Sequence, residues 1–311
     1  MNLKTPSKLE QIFAAGHIAV TSECGPPRGS DPEAVTKKAE MIKDHVDAIN
    51  ITDNQTAMTR LCSLASCIHI KQMGLEPILQ MVTRDRNRIA IQSDLLGAGS
   101  FDIHNLLCLS GDHQSFGDCA KGQNVHDLDS MQLIQTARHM RDEGKFLGGD
   151  AIKRPPRMFV GAAANPFADP YAIRVPRLAK KVAAGAEFIQ TQCIFNLEKF
   201  EQWMYDVRER GLHEQTCIMA GITPFKSAGM AKFMAKRVPG MDIPEEVVKR
   251  MADTPKDKQS AEGLKIAIES IQRLKECRGV KGFHIMAIEW EEKVPEICEA
   301  AGLYPRPDIT A

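Results

Sequence analysis

Short apolar segments alternate with amphipathic helical stretches along nearly all of this 311-residue chain. Each apolar segment suits one buried strand, and each intervening stretch is long enough for the helix of a β-then-α unit. Such a pattern repeated eight times predicts a closed (β/α)8 barrel, an α/β fold of the TIM type. The predicted strands are residues 17–24, 46–54, 77–83, 102–112, 157–166, 187–195, 217–225 and 282–290.

The sequence predicts one barrel domain over residues 1–311, with an insertion of extra helices between the seventh and eighth strands. These helices are expected at residues 231–238 and within 244–277, and the second stretch contains a charged break at residues 253–260. A doubly wound dinucleotide fold is the alternative. Its phosphate cradle needs backbone N–H donors after the first strand, whereas this chain has CGPPRG there, and proline supplies no N–H.

Composition excludes several functional classes. Forty basic and forty acidic residues give a formal net charge of zero, which argues against a nucleic-acid partner. We expect no membrane span and a cytoplasmic location, because no apolar window of about 18 residues and no secretory signal pattern is present. No histidine or cysteine spacing predicts a metal site.

Polar side chains stand at the predicted carboxyl ends of the strands, where barrels of this type carry their active sites. Two of them are carboxylates, Glu23 after the first strand and Asp112 after the fourth. Burial at an apolar barrel mouth would raise the pKa of such a group into a range useful for acid and base catalysis. For each acid alone, a solvated loop position or a helix N-cap remains an alternative.

Other polar groups predict a ligand with hydrogen-bonding edges and negative charge. Gln80 and Gln192 lie in apolar runs, where an unpaired amide costs about 1–3 kcal/mol, so a backbone group or a ligand must satisfy them. Arg177, Lys180 and Lys181 follow the fifth strand. They form either a solvated helix face or a contact to an anionic cofactor.

Five motifs, in order along the chain, resemble those of the methylenetetrahydrofolate reductase family. They are VTSECGPPRG, LCLSGD, GAAANP, FIQTQCIFNLEKFEQW and IMAGITPF, each at a predicted strand. The resemblance covers nearly the whole chain and is to the short, single-barrel form of the family, in particular to subunits that work with an iron–sulfur protein. It implies a flavin-bearing (β/α)8 barrel.

The resemblance implies the reduction of 5,10-methylenetetrahydrofolate to 5-methyltetrahydrofolate with a flavin, either FAD or, alternatively, FMN. It assigns Glu23 as the general acid that opens the methylene bridge, and Asp112 as the carboxylate that stabilises the resulting cation. It also places Asp112, Gln192 and Phe225 against the folate substrate. The residues it assigns to the flavin are Thr52, Gln80, Leu109, Ser110, Gly111, Asp112, Ala163, Asn165, Arg177, Lys180 and Lys181.

Some positions depart from the family pattern. Gln80 and Asp169 replace histidines, Asn165 replaces an aromatic residue, and Arg174 replaces an acid, so the choice of FAD over FMN stays open. Ala228 stands where members that use NADH directly have a stacking aromatic residue. Both NAD(P)H and an iron–sulfur partner subunit therefore remain candidate electron donors.

Two other functions remain open from the sequence. One is a non-redox, methyltransferase-like barrel that binds folate or another pterin, and such a protein would be colourless. The other is a non-catalytic subunit that keeps the barrel as a scaffold, in which Glu23 and Asp112 would be dispensable. We expect the chain to form an oligomer.

Overall fold

Eight parallel strands close a barrel in sequence order, and the last strand pairs with the first. This computed structural model describes residues 3–309. It confirms the predicted (β/α)8 fold, while the predicted single domain also includes residues 1, 2, 310 and 311, which lie outside the described residues. The strands are β1 Ala19–Cys24, β2 Ala48–Ile51, β3 Pro77–Val82, β4 Asn105–Leu109, β5 Phe159–Ala164, β6 Phe188–Cys193, β7 Cys217–Ile222 and β8 Val280–Ile285.

Helices surround the barrel, and three of them form the predicted insertion between β7 and β8. None of the helices in the described part of the chain is long and apolar enough to cross a membrane. The helices are α1 Lys8–Ala14, α2 Glu33–Ile42, α3 Ser63–Gln72, α4 Arg88–Ser100, α5 Ser130–Asp142, α6 Arg174–Ala184, α7 Leu197–Glu209, α8 Leu212–Gln215, α9 Ala228–Arg237, α10 Glu245–Asp253, α11 Gln259–Lys275 and α12 Val294–Ala300.

Helix α1, which the strand pattern does not predict, closes the amino-terminal end of the barrel. The Ser7 side chain caps it by accepting a hydrogen bond from the Glu10 backbone N–H. Leu9 and Ile12 of this helix are fully buried and pack in one cluster with the first inward-facing residues of the strands. These side chains fill the barrel interior at this end, whereas the polar mouth lies at the opposite end.

The barrel interior changes from apolar to polar along its axis. Phe159 and Phe188 stack at its amino-terminal end, with ring centroids 5.1 Å apart. The layer above contains buried polar side chains, among them Asn50 and Gln190. Because side chains alternate across a strand, the next inward position of β6 is Gln192, which lies at the mouth.

A test of this packing is the substitution Gly161→Ala in β5. A Cβ atom at residue 161 would lie 2.2 Å from the Phe188 ring, so the variant must displace a fully buried side chain. We expect the free energy of unfolding in urea to fall by about 1–3 kcal/mol. Gly148→Ala is the matched control, since nothing lies within 4 Å of its added Cβ; equal stability of the two variants would contradict this account.

Candidate active site

Two contiguous cavities of about 340 and 470 Å³ occupy the carboxyl-terminal mouth of the barrel. We call them together the mouth cavity, because one set of residues lines both. That shared set is Glu23, Gln80, Leu109, Ala163, Arg177, Lys181 and Gln192. The residues come from several strand ends and the helix after β5, as expected for an active site in this fold.

Glu23 lies next to the last residue of β1 and points into the mouth cavity. Only 26% of its side-chain surface is exposed. Burial, with a smaller contribution from the nearby Glu291 carboxylate, raises the pKa of Glu23 to about 7, and Lys38 opposes this shift. At neutral pH the carboxyl group is therefore available both as an acid and as a base.

A buried hydrogen-bond network lies directly beneath Glu23. Asn50 and Gln190 form a reciprocal amide pair, with N···O distances of 2.6 and 3.0 Å. The Gln190 amide also donates to the Thr21 hydroxyl at 3.2 Å. The Thr21 oxygen lies 2.9 Å from His284 Nδ1. A Thr21 hydroxyl that accepts from Gln190 can donate its own hydrogen to His284 Nδ1.

This network fixes how His284 faces Glu23. Burial lowers the pKa of His284 to about 3, so the ring is neutral. Its Nε2 atom lies 4.0 Å from Glu23 Oε2. The neutral ring therefore takes up no proton from Glu23 at neutral pH.

Asp112 lies in the loop after β4 and lines the mouth cavity together with Glu23. Its Oδ2 atom accepts a hydrogen bond of 2.9 Å from the backbone N–H of Thr56. Arg84 donates to its main-chain carbonyl at 3.0 Å. These contacts fix a carboxylate at the rim of the cavity, which Ser110 and Gly111 also line.

The two predicted amides at the mouth differ in their partners. Gln192 Oε1 accepts a hydrogen bond of 3.1 Å from the backbone N–H of Cys193, so its NH2 group is free to face the cavity. Gln80 is 7% exposed and lines both parts of the mouth cavity. Within residues 3–309 no group hydrogen-bonds the Gln80 amide, which leaves it available to a ligand.

Positive charge enters the cavity from α6. Arg177 and Lys181, one helical turn apart, both line it. The Lys181 ammonium donates to the Ala163 carbonyl at 2.5 Å. Burial and the adjacent Arg177 lower the pKa of Lys181 to about 8. An anionic ligand group beside these two side chains would offset both unfavourable effects.

The structure brings most of the predicted site residues together. Lys180, by contrast, is exposed on α6 and lines none of the cavities described. Phe225 is fully buried and stacks on Phe195, with ring centroids 4.6 Å apart, under the inserted helices. The predicted residues that do line the mouth cavity are Glu23, Thr52, Gln80, Leu109, Ser110, Gly111, Asp112, Ala163, Asn165, Arg177, Lys181 and Gln192.

Sequence reasoning assigned no role to several residues that line the cavity, among them His284 and Arg84. His284 is the one polar side chain in the buried half of its strand, and that anomaly was the available signal. Arg84 carries charge into the cavity wall, as does Arg174, which the sequence identified only as a departure from the family pattern. Nothing in the local sequence of either arginine separates it from a solvated loop arginine.

The fold and this mouth define a (β/α)8 barrel protein with an acid-lined ligand cavity. More specifically, the chain belongs to the methylenetetrahydrofolate reductase family, whose sequence model matches residues 8–302.

Curated relatives carry the same name at low identity. The chain is 24% identical over 258 residues to a probable methylenetetrahydrofolate reductase (NADPH) of Caenorhabditis elegans, a match that covers 81% of this chain and 36% of the relative. It is 25% identical over 238 residues to methylenetetrahydrofolate reductase 2 of Schizosaccharomyces pombe, covering 72% and 35%. The chain thus spans about a third of the length of these curated relatives.

Solved structures share the barrel fold. A Clostridium thermocellum protein that binds two copies of 5-methyl-5,6,7,8-tetrahydrofolic acid is similar with a TM-score of 0.63 and 14% identity, covering 95% of this chain and 98% of that one. A 2,3-dimethylmalate lyase of the PEP mutase/isocitrate lyase superfamily has a TM-score of 0.52 and 13% identity, covering 99% and 90%.

The network below Glu23 can be tested with Thr21→Val. This near-isosteric change leaves a Gln190 donor and the His284 Nδ1 acceptor without their partner. We expect the free energy of unfolding to fall by about 1–3 kcal/mol in urea denaturation. Thr21→Ser keeps the hydroxyl and should retain more of the stability; if Val proves no worse than Ser, the hydrogen-bond assignment is wrong.

Proposed function

We propose that this chain reduces 5,10-methylenetetrahydrofolate to 5-methyltetrahydrofolate with a bound flavin. The observation that carries the proposal is that Glu23, Asp112 and Gln192 line one cavity at the barrel mouth. Membership of the reductase family and a structural neighbour that binds 5-methyltetrahydrofolic acid support it.

The mouth cavity has the chemistry that a flavin needs. Small residues, Gly111 and Ala163, line it beside Gln80, whose amide has no partner among the described residues, so a flat ring with polar edges fits there. Arg177 and Lys181 would bind the phosphate groups. Two cations suit the diphosphate of FAD, and this is the feature of the cavity that favours FAD over FMN. When bound, the flavin supplies a hydride to the substrate carbon.

Glu23 is the general acid in this proposal. Opening of the methylene bridge requires a proton on the departing bridge nitrogen and leaves a cationic iminium on the other. A carboxyl group with a pKa of about 7 holds that proton at neutral pH in a large fraction of molecules. Neutral His284, whose Nε2 lies 4.0 Å from Glu23 Oε2, does not compete for that proton.

Asp112 and Gln192 act on the pterin. A carboxylate at the rim favours the iminium cation electrostatically, because the charge appears on the substrate only as the bridge opens. Gln192, whose oxygen is occupied by the Cys193 backbone N–H, offers its NH2 group to an acceptor on the pterin edge. Both side chains thereby orient the substrate over the flavin.

An iron–sulfur partner subunit is the electron donor that we favour over NAD(P)H. Ala228 is 8% exposed and Phe225 is fully buried against Phe195. Neither side chain therefore offers an aromatic face to a nicotinamide at the mouth cavity.

The role of Glu23 is tested by Glu23→Gln. We expect folate reduction to fall by about 100-fold or more, because the amide donates no proton, while flavin absorbance is retained. In the unmodified protein the folate step should slow as the pH rises through about 7, since the protonated form is the active one. Glu292→Gln removes an exposed acid nearby and should leave both readouts unchanged; a Glu23→Gln variant with full activity would refute the assignment.

Redox function is tested with the visible spectrum of the purified chain. We expect a flavin spectrum that NADH alone does not bleach under anaerobic conditions, but that dithionite does, since neither Ala228 nor Phe225 offers an aromatic face to a nicotinamide. Rapid bleaching by NADH would instead support direct use of the nicotinamide. A colourless protein that still binds folate would favour the non-redox alternative.

A further inference from the structure

A second cavity, of about 380 Å³, adjoins the mouth cavity and takes no part in the mechanism proposed above. We call it the side cavity. Its walls include the loop 25–28 after β1, Lys38 of α2, and Arg60 in the loop after β2. Glu23 and Gln55 line both this cavity and the mouth cavity, so a ligand seated over Glu23 could extend from one into the other.

The middle of the loop after β1 forms a wall without backbone donors. Pro26 and Pro27 have no N–H group. Their carbonyls are already used, since Pro26 accepts from Arg60 Nη1 and Pro27 from the Leu61 backbone N–H, each at 2.9 Å. An anionic group beside these two prolines would therefore be held by side chains.

Arg60 is the cation of the side cavity that has no acidic partner within residues 3–309. Arg28 is paired with Asp118, and Lys38 with Glu291 at 2.8 Å. Arg60 donates through Nη1 to a neutral carbonyl only, and its Nε atom is buried without a partner. This partly buried guanidinium therefore has N–H donors without acceptors. A carboxylate is the group that matches the geometry of those donors best.

The acidic residues that line the side cavity do not neutralise the charge of Arg60. Glu291 is committed to Lys38, and Glu23 is partly protonated at neutral pH because burial raises its pKa. Glu289 is exposed, so solvent and salt screen its charge. The unscreened, unpaired charge in the side cavity is therefore positive and belongs to Arg60.

We propose that the side cavity binds the glutamate tail of the folate, with the Arg60 guanidinium paired to a tail carboxylate. This inference rests on the proposed function, since it assumes a pterin seated over Glu23. The p-aminobenzoyl group would then pass Gln55, where the two cavities meet. Arg60 would act as a specificity-determining residue and would touch no reacting atom.

The test compares two ligands by calorimetry on the holoprotein: 5-methyltetrahydrofolate and 5-methyltetrahydropteroate, which lacks the glutamate. We expect the intact protein to bind the folate about tenfold more tightly, the strength of one charge-assisted contact. Arg60→Gln should weaken folate binding to the level of the pteroate and leave pteroate binding unchanged. Glutamine keeps an N–H donor for the Pro26 carbonyl, and Arg60→Lys should give an intermediate preference.

Arg28→Gln is the matched control, because Arg28 lines the same cavity but is already paired with Asp118. It should keep the full preference for the folate. Equal affinities of the intact protein for the two ligands, or equal weakening of both by Arg60→Gln, would overturn the subsite while leaving the proposed function standing. Failure of the intact protein to bind either ligand would overturn the proposed function itself, and the subsite with it.

Discussion

The site depends on the burial of the Glu23 carboxyl group, which separates it from water. A carboxyl group in bulk solvent is almost fully ionised at neutral pH, so it has almost no proton to donate. Here the strand end places it over a packed barrel interior, where burial disfavours the charged form and raises its pKa to about 7. The same burial keeps His284 neutral. Burial thus leaves Glu23 partly protonated at neutral pH and keeps its neighbour His284 uncharged.

The polar layer below Glu23 makes this arrangement stable. Buried amides and hydroxyls are tolerated only when their hydrogen bonds are satisfied. The reciprocal pair of Asn50 and Gln190 links β2 to β6 across the barrel interior, and Gln190 also donates to Thr21 of β1. Thr21 in turn contacts His284 of β8, so the position of the histidine beside Glu23 depends on strands that are distant in sequence.

The sequence was sufficient to predict the barrel, the inserted helices and the strand ends at which Glu23 and Asp112 stand, because these follow from local periodicity. It could not separate Lys180 from Lys181, since both are spaced to share a helix face with Arg177, and only the packing of α6 turns Lys181 inward. The short helix α1 was missed because seven residues carry too little pattern. His284 was missed because its partners are distant in sequence.

Helix α1 also has a consequence for ligand exchange. Its side chains fill the interior at the amino-terminal end of the barrel. Any two ligands of the barrel interior would therefore share the carboxyl-terminal mouth, and their sizes would decide whether one must leave before the other binds.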